Sequence, residues 1–469
     1  MENHKTPEKI LQFGKGNFLR GFFDWQIEKM KRAGVYGGSI VIYQPSPNGS
    51  VPDFLQEQNY QFYVAERGLS EQKKVDQELL ITTISRTFAY NEWQEILQLA
   101  ESDELECIVS NTTEAGIVYK ECEPPAENDI PLSFPAKLTE FLSRRFSVKG
   151  KSEAPGLIIL PCELVEQNGE MLKGIILQHA ADWELPKEFT AWINENIHFC
   201  NTLVDRIVTG YSEEKAAKIE EKTNFKDHWL VVTEPYYSFV IDGPAEVKEK
   251  LPFQKAGLSV TWDKTESYRE MKVRLLNGPH TMMCASGLVH GLKTVQEVMK
   301  NPLFGTFVEN GMEEIRSVLT LDKKKTADFR DQVLDRFQNP FNPHQLADIA
   351  RYSITKFRVR LLPVVKSYLE VHGTPPKRIT FSMASVLRYY RPVKVENDEF
   401  FGEYKGMEYK LFESKEVLGR LSDAWQEDDK NKRTAMLLSK EIWGEELEEL
   451  KDLLPSYLEL IEKMAKAKF

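Results

Sequence analysis

The chain has 469 residues, a length that exceeds what a single core usually organises and suggests two domains. Its 41% hydrophobic and 28% charged residues exclude a disordered polymer, and a net charge of −11, from 61 Lys and Arg against 72 Asp and Glu, gives no global field for nucleic acid or an anionic membrane. Any anionic ligand must meet local basic groups.

The chain opens on the polar run Met1 to Lys9, with no apolar segment behind it long enough for a signal sequence, and no later stretch offers about 18 uninterrupted apolar residues. A cytoplasmic protein is expected, as a monomer or small homo-oligomer. Ile10 to Phe13 reads as a short buried strand, Leu19 to Arg32 has helical apolar spacing, and Ser39 to Gln44 reads as a second strand after Gly37-Gly38. That is a βαβ unit. Further strands are predicted at Leu79 to Ser85, Glu106 to Asn111, Gly156 to Leu160 and Trp229 to Val232, with helices between several of them, an alternation that favours a parallel sheet wrapped by helices. From about Ser267 the pattern becomes helical, at Tyr268 to Leu276, Thr294 to Lys300, Met312 to Leu321, Gln345 to Leu361, Ile379 to Tyr390 and Lys440 to Lys466. The boundary is expected within Phe253 to Lys264, giving domains 1–260 and 261–469.

Two places carry chemistry. The first is the strand-to-helix junction Phe13-Gly14-Lys15-Gly16-Asn17-Phe18-Leu19-Arg20, where backbone amides can approach a pyrophosphate and the helix dipole adds favourable potential. Leu19 occupies the third glycine position of GxGxxG, so an ordinary tight turn is the competing reading. Arg20 has two readings as well, a phosphate contact or a surface salt bridge. The second strand ends at Tyr43-Gln44-Pro45 with no carboxylate for a ribose 2′-hydroxyl and no adjacent arginine for a 2′-phosphate, so these residues do not choose between NAD and NADP.

The second place is Lys272 to His280. Oxidising a secondary alcohol requires a group that takes the hydroxyl proton as hydride leaves, and donors that stabilise the alkoxide. The cysteines, Cys107, Cys122, Cys162, Cys200 and Cys284, form no CxxC pair, so neither a disulfide frame nor a zinc site is indicated, and a lysine is the natural substitute. Lys272 is the candidate. Asn277 and His280, three apart, would share a helical face. Pro279 either opens a new helix or kinks a continuous one. The competing reading makes Lys272 a solvated lysine, Asn277 a cap and His280 a core histidine.

These residues resemble the mannitol dehydrogenase family of polyol-specific long-chain dehydrogenases. The family's KxxxxNxxH signature corresponds to Lys272, Asn277 and His280, and its initial glycine turn to Gly14 and Gly16. A sugar-acid branch of the family is matched more closely still, at Gln12 to Arg20, Ser110 to Ile117, Phe134 to Thr139, Pro161-Cys162-Glu163-Leu164, Asn201 to Tyr211, His344-Gln345-Leu346 and Thr355 to Arg358. The resemblance spans nearly the whole chain. It implies an α/β Rossmann-type N-terminal domain with a parallel-rich sheet, a mainly α-helical C-terminal domain, an active site in the cleft between them, NAD as cofactor and metal-independent hydride transfer. It extends cofactor binding to Asn111, Thr112, Thr113 and Glu114. The implied reaction interconverts D-altronate and D-tagaturonate in galacturonate breakdown, with Lys272 as general acid and base, Asn277 and His280 on substrate oxygens, and Lys356 as a further substrate contact. A sister activity on fructuronate and mannonate or on a neutral polyol is the alternative, and a dinucleotide-binding redox sensor is an alternative of a different class.

Two positions depart from the family. Leu164 stands where mannitol dehydrogenases carry an oxyanion-binding asparagine, and Asp348 where they carry a substrate-binding arginine. A uronate carboxylate suits a bidentate guanidinium, so Arg358 or Arg360 is expected to take it, with His344 as helper.

Overall fold

The computed structural model of the chain describes residues 6–112, 116–149, 155–341, 343–404 and 406–466. It divides into two compact units, Met1–Arg67 with Lys74–Tyr268, and Gly68–Lys73 with Arg269–Phe469. Among the described residues no helix is long and apolar enough to cross a membrane.

In the first unit the strands in chain order are β1 (Glu8–Phe13), β2 (Ser39–Tyr43), β3 (Phe62–Ser70), β4 (Lys73–Ile81), β5 (Ile84–Phe88), β6 (Cys107–Ser110), β7 (Ile158–Pro161), β8 (His198–Phe199), β9 (Asn201–Asp205), β10 (Val208–Gly210), β11 (Val231–Thr233), β12 (Ser238–Asp242) and β13 (Val260–Trp262). The main sheet has the order β5-β2-β1-β6-β7-β8 and is parallel throughout. Strand order therefore reverses between β1 and β6, the place where open parallel sheets take ligands beyond the carboxyl ends of their strands. Alternate residues of the same strands feed two separate cores, Ile10, Ile40, Ile42 and Val109 on one face, and Leu11, Val41, Tyr43 and Ile108 on the other. This explains why these strands read as unbroken apolar runs: helices or loops cover both faces, so neither side faces water.

One expected strand is divided. Leu79 to Ser85 is uniformly β-prone, yet β4 ends at Ile81 in a four-stranded sheet, order β10-β11-β3-β4, and β5 starts at Ile84 in the main sheet. The helix Trp25–Arg32 enforces the crossing: Glu28 accepts from the Thr82 amide at 2.7 Å and Lys31 donates to the Thr82 carbonyl at 3.1 Å, satisfying backbone groups that a continuous strand would pair.

The second unit is mainly helical, built round the helix Gly278–Leu288, nearly all of which is buried. Helices Pro302–Val318, Leu346–Ala350, Ser353–Arg360 and Lys377–Tyr389 pack against it. Gly287 lets Leu346 approach closely: a Cβ there would stand 2.6 Å from Leu346 Cδ1. Three details correct the sequence reading. The expected helix Gln345 to Leu361 is two helices, broken at Tyr352, whose φ of 58° is stabilised by its amide donating to the Phe412 carbonyl at 2.8 Å. The expected helix Lys440 to Lys466 stops at Trp443, because Gly444 takes φ 84°, and resumes over Leu454–Lys466. An unforeseen antiparallel meander, β14 (Lys394–Glu396), β15 (Glu399–Tyr404) and β16 (Met407–Lys410), lies among the helices.

Candidate active site

Gly14 follows β1 directly, at φ 111°, and its amide bonds the Tyr43 carbonyl at the end of β2 at 2.9 Å. A Cβ here would lie 3.6 Å from the Asn111 carbonyl, so the turn after β1 and the loop after β6 meet at the point of strand reversal. Gly16, exposed and extended, would bring a Cβ into open space. The helical run Asn17–Arg32 then begins, with a π turn over Arg20–Asp24. Phe13 and Leu19 are buried beneath it, Phe18 stacks on Phe22 at 4.9 Å, and half-buried Lys15 has its amine pushed down by burial and then by Arg20. An open glycine at a strand-to-helix turn, placed at the reversal of a doubly wound sheet, fits a dinucleotide pyrophosphate.

Arg20 corrects the sequence reading. It is buried, not a surface salt bridge: its guanidinium donates to the Lys15 carbonyl at 3.1 Å, to Asn17 Oδ1 at 2.6 Å and to the Trp229 carbonyl, and lies 4.6 Å from the Trp229 ring centroid. It braces the glycine turn from inside the fold. Burial lowers it to about 10, so it remains charged at neutral pH. Gly210 leaves room for the Asn17 side chain, since a Cβ there would stand 2.6 Å from its Nδ2.

The loop after β6 is held by a residue the sequence reading left without a role. Buried Glu163 accepts from the Thr112 amide at 2.8 Å, the Thr112 hydroxyl at 2.9 Å and the Ser110 hydroxyl at 3.1 Å, while Asn111 Nδ2 donates to the Cys162 carbonyl at 2.6 Å. Its place after a strand's carboxyl end was the available signal. Leu164 beside it is 60% exposed. Thr113 and Glu114 lie outside the described residues.

In the second unit Lys272 ends the helix Thr265–Lys272, and a π turn over Val273–Asn277 joins it to Gly278–Leu288, closed by the Gly278 amide on the Val273 carbonyl. Pro279 explains the turn, since its ring would clash within an unbroken α-helix and it has no N–H to donate. The consequence is angular. At about 100° per residue, an unbroken helix would set Asn277 about 140° and His280 about 80° round from Lys272. A π turn takes up one extra residue, removing about 100° of that offset and leaving all three within about 40° of one line. Lys272, Asn277 and His280 are each half-buried.

Beside this face, His280 and His344 rings meet edge to face at 5.2 Å, and burial pushes the His344 imidazole down. Arg360 Nη1 donates to the Thr281 hydroxyl at 3.0 Å and to the Asn277 carbonyl at 3.4 Å. Lys356, one turn earlier on the same helix, donates to the Ile349 carbonyl at 2.9 Å, and its amine is pushed down by burial and then by Arg360. Arg358 does not join them: it is exposed and its guanidinium lies against Gly444, because residues two apart on a helix face different ways. Among the described residues no three His, Cys, Asp or Glu side chains converge as a metal site.

Residues 8–255 match the mannitol dehydrogenase Rossmann domain and residues 264–465 the mannitol dehydrogenase C-terminal domain. An altronate oxidoreductase of Halalkalibacterium halodurans is 39% identical over 454 residues, covering 95% of this chain and 88% of that protein. One of Bacillus subtilis is 37% identical over 454 residues, covering 95% and 90%. In fold, the chain is similar to a substrate-free D-sorbitol dehydrogenase (TM-score 0.73, 21% identity, 98% and 92% covered). It is also similar to Pseudomonas fluorescens mannitol 2-dehydrogenase in ternary complex with NAD and D-mannitol (TM-score 0.61, 22% identity, 98% and 92% covered).

Proposed function

The chain belongs to the mannitol dehydrogenase family, and from that premise we propose that it is an oxidoreductase of the CH–OH group interconverting D-altronate and D-tagaturonate with NAD. When bound, NAD supplies the hydride acceptor for alcohol oxidation and, once reduced, the donor for ketone reduction. The glycine turn Phe13 to Leu19 and the loop at Asn111 and Thr112 would hold it, with Gly16 leaving the backbone open to the pyrophosphate. Arg20 acts on that turn from within, as a brace.

Lys272 takes the hydroxyl proton on its amine as the carbinol carbon loses hydride, and returns that proton to the carbonyl oxygen in the reductive direction. Asn277 and His280 donate to substrate oxygens, stabilising negative charge as it develops. Leu164, being apolar, can supply no such donor, so that task falls to the second unit's amide and imidazole. The observation that supports this reading is the π turn, which shifts the helical phase of the amide and the imidazole towards that of the amine.

The test is to mix purified protein with NADH and either D-tagaturonate or D-fructuronate and follow the loss of nicotinamide absorbance. Turnover of tagaturonate is expected. Turnover of fructuronate alone would assign the sister activity instead, and binding of NADH with no turnover of either acid would make the chain a sensor.

A further inference from the structure

Some buried cations of this chain meet carboxylates, whereas Arg20, Lys137 and Arg145 are held by carbonyl and amide oxygens, and half-buried Lys356 and Arg360 are of the second kind. Arg206 is paired with Glu66 at 2.8 Å, and Lys215 with Asp76 and Glu78 at 2.6 Å each. Lys356 and Arg360 have no carboxylate at ion-pairing distance among the described residues, only carbonyl groups and one hydroxyl. This is so in a chain whose acidic residues outnumber its basic ones, 72 to 61. Glu413, the nearby carboxylate whose field reaches Lys356, is occupied by the Thr355 amide and hydroxyl at 3.1 and 2.7 Å. Two like charges one helical turn apart repel, and half-burial sharpens the repulsion. A bound anion would relieve it.

The guanidinium is also pre-set. Arg274, from the π turn, donates to the Val359 and Arg360 carbonyls at 2.7 Å each, which fixes the end of the Ser353–Arg360 helix against the turn. Arg360 in return donates through Nη1 to Thr281 and Asn277. These reciprocal bonds hold Nη1 and leave Nε and Nη2, the edge that makes parallel bonds to a carboxylate, without an acceptor among the described residues. Through Nη1 the guanidinium lies against the Asn277 carbonyl and the hydroxyl of Thr281, the residue after His280.

We propose, resting on the altronate and tagaturonate reading above, that Arg360 receives the terminal carboxylate of the substrate, with Lys356 as a second cation, and thereby selects sugar acids over neutral polyols. In this chain the arginine comes four residues after the lysine, and Asp348 stands eight residues before that lysine. Arg358 plays no part.

The experiment uses the full chain with NADH and compares kcat/KM for D-tagaturonate with that for D-tagatose, the neutral ketose bearing CH2OH in place of the carboxylate. Where ketose turnover is too slow to follow, the same ratio is read from the inhibition constants of D-altronate and D-altritol. Arg360→Met is expected to lower the acid's value roughly 10²-fold or more, mainly through KM, while the neutral substrate changes less than about threefold. Arg360→Lys, which keeps the charge without the fork, should recover part of the loss. Should Arg360→Met fail to fold, Thr281→Val releases the anchored guanidinium and should cut the acid-to-neutral ratio roughly tenfold. An equal loss on both substrates, or no loss on the acid, overturns the assignment. A wild-type protein inert towards tagaturonate but active on fructuronate refutes the altronate reading instead, and the ratio is then measured with fructuronate against fructose.

Discussion

Gly14 and Gly16 are two residues apart in one turn, and the structure separates what each is for. Gly14 sits at φ 111°, which an L side chain rarely adopts, while the nearest atom to an added Cβ, the Asn111 carbonyl at 3.6 Å, is at ordinary contact distance. The cost of Gly14→Ala is therefore backbone strain, about 1–3 kcal/mol. At roughly 2–4 °C per kcal/mol for a unit of this size, the unfolding midpoint should fall by several degrees. Gly16 is extended, φ −61° and ψ 158°, with nothing within 4 Å of the added atom, so Gly16→Ala should leave the midpoint unchanged. Its methyl would instead stand where the backbone must approach a pyrophosphate, and a loss of about 1.4–3 kcal/mol there weakens NAD binding roughly 10- to 100-fold. Thermal unfolding with and without saturating NAD reads both effects, because bound nucleotide raises the midpoint in proportion to the logarithm of its excess over Kd. A Gly16→Ala protein that binds NAD as tightly as wild type would refute the placement of the pyrophosphate at this turn.

Lys272→Ala should reduce turnover by roughly 10²–10⁴, measured from steady-state rates at saturating cofactor and substrate; a full rate would remove the lysine from proton transfer. Burial pushes the carboxyl of Asp24 up to about 8, against the pull of Arg20 and of the Gln12 side chain. The folded state thus keeps a proton that the unfolded chain releases in the ordinary carboxylate range. Stability from this group is present at low pH and lost as pH rises from about 4 to 8, by a few kcal/mol at most, and Asp24→Asn should flatten that slope in denaturant titrations. Glu163→Ala leaves the Thr112 amide and two hydroxyls without their acceptor, at a cost of about 1–3 kcal/mol, and should raise KM for NAD more than KM for the sugar acid. Equal effects on both constants would make Glu163 a residue of general stability alone.

The parts of the fold that were legible in the sequence are those set by local pattern. Ile10 to Phe13 and Ser39 to Tyr43 could be read as strands because both of their faces are buried, and the glycines after β1 mark a turn that needs a positive φ and an uncovered backbone. The strand and helix breaks were not legible, because each depends on a distant group. The run Leu79 to Ser85 changes sheet where Glu28 and Lys31 capture Thr82, and the helix at Gln345 breaks where the Phe412 carbonyl holds the Tyr352 amide. Composition inside those segments carries no trace of either partner.

The same division runs through the candidate site. Residue type and spacing alone fixed Lys272, Asn277 and His280 as chemically able groups, since amine, amide and imidazole keep their proton-handling character wherever they are placed. Tertiary structure set the helical phase between them, through the π turn before Pro279, and the directions of the arginines nearby. It turned Arg20 inward onto Trp229 and Arg358 outward onto Gly444, and set Arg360 against Thr281. A sequence lists which side chains carry charge; the direction in which a charge points depends on helix phase and on acceptors brought near by packing, and those come from residues tens to hundreds of positions away.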